Sequence, residues 1–151
     1  MAIDSGKPFT FEQFKEIYSK VNRLNIEIVL KTKQGLLLSL RDIEPYKGQW
    51  HLPGGTVYFR EPIETAVLRV GKQELDLDLQ IEKFLGYIEY PIVLENNGFD
   101  CPIGLSFLCS LVDDKQELSL DEQSSEAKFF EQIPANTISE QKDFLEELNL
   151  I

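Results

Sequence analysis

The chain has 151 residues, 42% of them hydrophobic and 27% charged, which is enough for one domain to bury a core without disulfide or metal staples. A formal net charge of −11 and a pI near 4.5 argue against a nucleic-acid backbone as general partner, and any phosphate-bearing ligand then needs a cation or local arginines to offset the charge.

The opening "MAIDSGKPFT" has neither a basic start nor an apolar run, so no signal peptide is expected, and no window approaches a membrane span. A cytoplasmic protein is the expectation. Residues 10–22 read as a helix, with Thr10 and Gln13 at capping-box spacing and Phe11, Phe14, Ile17, Tyr18 and Val21 on one stripe. "NIEIVLKT" and "GLLLSLR" read as strands joined by a short turn, and residues 42–49 as a loop broken by Pro45 and Gly48. After "WHLPGGTV" a helix is predicted from about Pro62 to Leu75, with proline tolerated in the first turn because its missing N–H costs nothing there. Residues 79–90, 102–112 and 126–131 read as further strands, with "LENNGFD" as a hairpin loop between the first two. The tail "ISEQKDFLEELNL" reads as a short amphipathic helix turning Phe144, Leu145 and Leu148 inward. Cys101 and Cys109 bracket one predicted strand, which holds them roughly 26 Å apart, too far for a disulfide. A reducing compartment follows. Strands flanking one central helix, with helices at both ends, favour a single α+β or α/β sandwich domain over residues 1–151.

The stretch from Gly55 to Leu77 carries the most information. Gly55, Glu61, Arg69, Glu74 and the aliphatic Leu77 fall on the frame Gly, five residues, Glu, seven residues, Arg-Glu-aliphatic-x-Glu-Glu-x-Gly-aliphatic, and "WHLPGG" leads into it. The segment resembles the Nudix box. That resemblance implies the Nudix fold, an α/β/α sandwich with a mixed sheet and the box helix on one face, and a scaffold role for Gly55 and for a Glu61–Arg69 salt bridge. The chain departs from the frame at Val70 and Gln73, which replace acids, and at Asp76, which replaces a glycine. Asp is among the few residues that accept the left-handed conformation such a helix end needs. Gly71, inside the helix, points to close packing.

Nearly the whole chain is similar to the GDP-mannose mannosyl hydrolase subgroup of that family, through the "FEQF" helix, the shortened box ending in "ELDL" and the late loop "LDEQSSEAKFF". The resemblance implies Mg²⁺ held by the Gly54 carbonyl, the Glu74 carboxylate and the Gln123 amide oxygen. It also implies Arg41 as the residue that neutralises the diphosphate, and a homodimer formed through the N-terminal segment. The family's histidine base after the glutamine is Ser124 here. Glu126 in the same loop is the candidate to replace it, with Glu122 and the sole histidine, His51, as alternatives. Glu126 also reads as a surface charge.

One carboxylate is poor provision for multi-metal attack on phosphorus. It suffices for attack at a sugar's anomeric carbon, where the protein mainly stabilises a departing nucleoside diphosphate. The expectation is therefore a Mg²⁺-dependent hydrolase acting on a nucleoside diphosphate sugar, led by GDP-mannose cleaved to GDP and free sugar. The alternative is a box that binds a nucleotide without turnover. Glu27, alternating with Ile26 and Ile28, sits either at the nucleotide pocket or on a solvent-facing strand surface. Trp50 and Tyr46 read as core or lip residues, with base stacking as the other possibility.

Overall fold

The structure is a computed structural model and describes residues 7–91, 93–118 and 124–151, without the side chains of residues 124 and 125. Seven strands form one mixed sheet. β1 (Arg23–Thr32) and β2 (Gly35–Arg41) pair antiparallel only beside their connecting turn, at Lys31↔Leu36 and Thr32↔Gly35. Beyond it they splay into a fork. The short strands β3 (Trp50–His51) and β4 (Gly54–Thr56) fill that fork, β3 on β2 and β4 on β1. The other edge of β1 pairs in parallel with β6 (Pro102–Leu111), which pairs antiparallel with β5 (Leu79–Glu89). The other edge of β2 pairs with β7 (Ser124–Phe130).

Strand alternation divides the core into two layers. Ile26, Ile28, Leu30 and Leu37 face the helix α2 (Ile63–Leu75), meeting its Ala66, Val67 and Val70. Val29, Leu36, Leu38, Trp50 and Leu52 face the opposite side, where Leu145 of α3 (Ser139–Leu148) covers them. α2 begins after Pro62 and ends at Asp76, which adopts φ 55°, ψ 38°, and the N–H groups of Asp76 and Leu77 reach back to Lys72 O and Gly71 O. Gly71 allows the helix to lie on β5: a Cβ there would sit 2.6 Å from Leu79 Cδ1. The first helix, α1 (Phe11–Tyr18), is capped by the Thr10–Gln13 box and is shorter than the apolar stripe suggested. Phe11 and Phe14 meet Phe99 edge-on. Cys101 lies just before β6 and Cys109 within it.

"LENNGFD" lies in the loop of the expected β5–β6 hairpin, which opens in a 3₁₀ turn at Val93–Asn96. Two features differ from the sequence expectations. β3 and β4 are strands where none was read. Glu27 is buried, neither solvent-facing nor at an open pocket, with only 2% of its surface exposed. No helix among the described residues is long and apolar enough to cross a membrane.

Candidate active site

The Pro-Gly-Gly segment lies in the fork between β1 and β2, and its hydrogen-bond register determines what it offers. Ile28 N donates to Pro53 O at 2.8 Å and Val57 N to Leu24 O at 2.9 Å. Antiparallel pairs alternate between bonded and non-bonded positions. The Glu27↔Gly54 pair therefore falls at a non-bonded position, and the Gly54 carbonyl turns away from β1. Gly55 faces α2: a Cβ there would lie 3.1 Å from Val70 Cγ2 and 3.8 Å from Glu74 Oε1. The Glu74 carboxylate thus reaches the backbone beside the outward carbonyl.

The two lost acids have structural occupations. Val70 is wholly buried, closing the α2 core against Gly55. Gln73 Oε1 accepts from Arg69 Nη1 at 2.8 Å. Arg69 also holds Glu61 through Nε and Nη2, at 2.7 and 2.8 Å, and gives Nη2 to Thr56 O at 2.8 Å. Its guanidinium stacks on Tyr58 with a centroid distance of 3.6 Å. The Arg69 hydrogen bond holds the Glu61 carboxyl below its ordinary range, against the opposing effect of partial burial. The scaffold pair expected from the box frame is therefore present, and it fixes the Gly54–Thr56 strand relative to the helix that carries Glu74.

The pleat sorts the remaining candidates by face. On β2, Leu36 and Leu38 face α3 and Leu37 faces α2, so alternation puts Ser39 and Arg41 on the α2 side. On β3, Trp50 packs on the α3 side, so His51, paired with Ser39, belongs to the α2 side. Arg41, His51 and Glu74 thus share one face. Arg41 Nε donates to Pro45 O at 3.0 Å and Nη2 to Glu44 O at 3.3 Å, clipping the loop after β2. His51 Nδ1 lies 2.7 Å from Leu52 O. A carbonyl can only accept, so Nδ1 carries the proton and Nε2 is the basic nitrogen. Glu126 is placed elsewhere. Its neighbours Ala127 and Phe129 pack toward α2, so Glu126 lies on the α3 face, 43% exposed and 3.7 Å from Lys128 Nζ. The surface-charge alternative describes it. Gln123 and Glu122 lie outside the described residues.

Glu27, also on the α3 face, belongs to a buried chain of hydrogen bonds. Tyr90 Oη donates to Glu27 Oε1. Gln141 Nε2 donates to Tyr90 Oη at 2.9 Å, and Gln141 Oε1 accepts from Leu52 N at 2.6 Å. Glu27 Oε2 has no partner among the described residues. Burial raises the Glu27 carboxyl to about 7, opposed by the Tyr90 hydrogen bond and the Arg23 charge. The carboxyl lies flat on β6, where a Cβ on Gly104 would come within 2.4 Å of Oε1. The sequence reading missed Gln141 and Tyr90. The available signal was Gln141 standing four residues before Leu145, a polar side chain in the apolar stripe of α3. Trp50 and Tyr46 are core residues.

One carbonyl turned into the fork and one carboxylate beside it suit a single hard divalent cation that completes its shell with water and substrate oxygens. Among the described residues no three His, Cys, Asp or Glu side chains gather as a metal cage.

Comparison with known proteins agrees with this fold. A model of the NUDIX domain matches residues 21–148. The chain is 32% identical to the low-salt glycan biosynthesis protein Agl8 of Haloferax volcanii, over 80% of this chain and 78% of that protein. It is 27% identical to an ADP-ribose pyrophosphatase of Methanocaldococcus jannaschii, over 84% and 81% respectively. In fold it is similar to a MutT NUDIX hydrolase from Burkholderia pseudomallei, with a TM-score of 0.73 at 23% identity, covering 85% of this chain and 98% of that one.

Proposed function

We propose that this chain, which belongs to the Nudix family, is a divalent-metal-dependent hydrolase of a nucleoside diphosphate linked to a second group, with residues 1–151 acting as one domain. The leading substrate is a GDP-sugar such as GDP-mannose, cleaved at the sugar C1–O bond to GDP and free sugar. The carrying observation is the occupation of the two lost acids. Val70 is core and Gln73 serves Arg69, leaving Glu74 as the helix carboxylate that reaches the Gly54–Gly55 backbone. The relative that bears a glycan-biosynthesis name supports a sugar nucleotide.

In this reading the Gly54 carbonyl and Glu74 hold the cation, with Gln123 as third ligand. A bound Mg²⁺ supplies charge neutralisation of the departing diphosphate. Arg41, on the same face, adds positive charge where the leaving group gains negative charge. The proton acceptor for the attacking water is assigned to His51 in place of Glu126, because His51 shares the face of Arg41 and Glu74 and its basic nitrogen is Nε2. Glu27 is withdrawn as a substrate contact and acts from beneath. A homodimer through α1 fits Phe11, which leaves 71% of its surface exposed. Sedimentation of Phe11→Ser as a monomer, against a wild-type dimer, would bear that out.

The second reading, attack at phosphorus, has the ADP-ribose pyrophosphatase relative in its favour. Chromatography of products from GDP-mannose and ADP-ribose with Mg²⁺ separates the two. GDP and free sugar place attack at carbon. A nucleoside monophosphate and a sugar phosphate place it at phosphorus. Binding without turnover on either substrate makes the chain a nucleotide-binding module.

A further inference from the structure

We infer that Gln141, on α3, is a positioning residue for the Gly54 carbonyl, its side-chain amide standing in for a strand partner that the backbone cannot supply. The inference rests on the reading that Gly54 and Glu74 hold the cation.

β3 has β2 on one edge and residues 136–138 on the other. Trp50 N donates to Asn136 O at 3.0 Å and Ile138 N to Trp50 O at 2.9 Å. At Ile138 the chain turns into α3 and leaves that edge. The next donor on the edge is the N–H of Leu52, a residue buried to 1% exposure. Pro53 follows and has no N–H of its own. An unmatched Leu52 N–H would draw in water or move. Gln141 meets it with Oε1 at 2.6 Å.

The amide is itself fixed. Its Nε2 is committed to Tyr90 Oη at 2.9 Å, and the Tyr90 proton is committed to Glu27. Glu27 closes the circuit under the glycine, since a Cβ on Gly54 would be 3.6 Å from Glu27 Cγ. A carbonyl ligand has no side-chain rotamers with which to find its metal. Its position is only as good as the segment that carries it, and ligand geometry tolerates about 0.5 Å. The buried chain therefore ties the C-terminal helix to the floor of the metal site through Leu52, Pro53 and Gly54.

The test is a Mn²⁺ titration of the full chain, read by electron paramagnetic resonance of free Mn²⁺, with amide exchange at Leu52 as a second readout. Gln141→Leu and the more flexible Gln141→Met should both weaken Mn²⁺ binding about 10-fold, in the range typical of an outer-shell partner, and speed exchange at Leu52. Leu145→Val loosens the core of the same helix without touching the amide and should keep wild-type affinity. Glu74→Gln serves as reference and should abolish binding. Wild-type affinity in both Gln141 variants, or an equal loss in Leu145→Val, overturns the inference. Retained Mn²⁺ binding in Glu74→Gln overturns the metal-site reading instead.

Discussion

Arg69 and Glu61 meet in a two-pronged ion pair, Nε to Oε2 at 2.7 Å and Nη2 to Oε1 at 2.8 Å, with side chains 19% and 10% exposed. Because Arg69 also binds Thr56 O and Gln73, the pair joins the glycine strand to the helix end. Arg69→Ala leaves Glu61 charged and nearly buried, without its ion-pair partner and with the Tyr58 N–H as its remaining donor, at a cost of about 3 kcal/mol. For a chain of this size that is roughly 6 to 12 °C in Tm. Arg69→Lys should recover only part, since an ammonium with three donors cannot serve the four acceptor oxygens that the guanidinium fork reaches. Calorimetry of the two variants checks both statements, and equal Tm values for alanine and lysine would contradict the second.

Glu74 and His51 share one face but are given different tasks, and their variants should separate accordingly. Glu74→Gln removes the carboxylate of the proposed cation site, so metal affinity and turnover should fall together, by more than the ~10- to 100-fold of an outer-shell loss. His51→Gln should lower kcat by about 10²- to 10⁴-fold while leaving Mn²⁺ affinity near wild type. Turnover in His51→Gln equal to wild type would return the base to another residue.

Glu27 gives stability a pH dependence with a definite sign. Its folded carboxyl titrates near 7, above the ordinary 4.5, so the folded state holds a proton that the unfolded state has released. Stability is full below about 4.5 and falls as pH rises toward 7, by about 3 kcal/mol in all. Glu27→Gln mimics the protonated form and should flatten that slope. The variant should be the more stable protein at pH 8, with little difference at pH 4.5. Urea unfolding of metal-free protein at the two pH values measures this, and parallel curves for the two proteins would place the titration elsewhere.

The long elements were legible in the sequence because each carries its own period. α2, β1, β2, β5 and β6 fall where alternation or a helical stripe put them, and the left-handed helix end at Asp76 followed from the few residues that accept it. β3 and β4 were not legible. At two and three residues they have no period, and they are strands only because β1 and β2 splay to admit them. Alternation placed Glu27 on a face but could not say what covers it. Tyr90 and Gln141 come from distant parts of the chain, and a glutamine in an amphipathic tail looks like a surface residue until the N–H it serves is seen. The box frame pointed to the Glu61–Arg69 pair, which the structure contains, and to Glu74 on the same helix as Arg69, whose Oε1 lies 3.8 Å from where a Gly55 Cβ would be. Glu126 was drawn from loop proximity, and the pleat separates it from these residues.

Val70 and Gln73 occupy two acid positions of the box, yet restoring the acids should have opposite consequences. Val70 is wholly buried against Gly55, so Val70→Glu places an unpaired charge in the α2 core at about 3 kcal/mol or more, and the variant should unfold early or not accumulate. Gln73 is partly exposed and already accepts from Arg69. Gln73→Glu turns that bond into an ion pair and should change stability by less than about 1 kcal/mol. The second variant thereby adds a carboxylate one residue from Glu74 without damaging the fold. If attack is at the sugar carbon, its product pair should remain nucleoside diphosphate and free sugar. A switch to monophosphate and sugar phosphate would show that the number of acids on this helix selects which bond is broken.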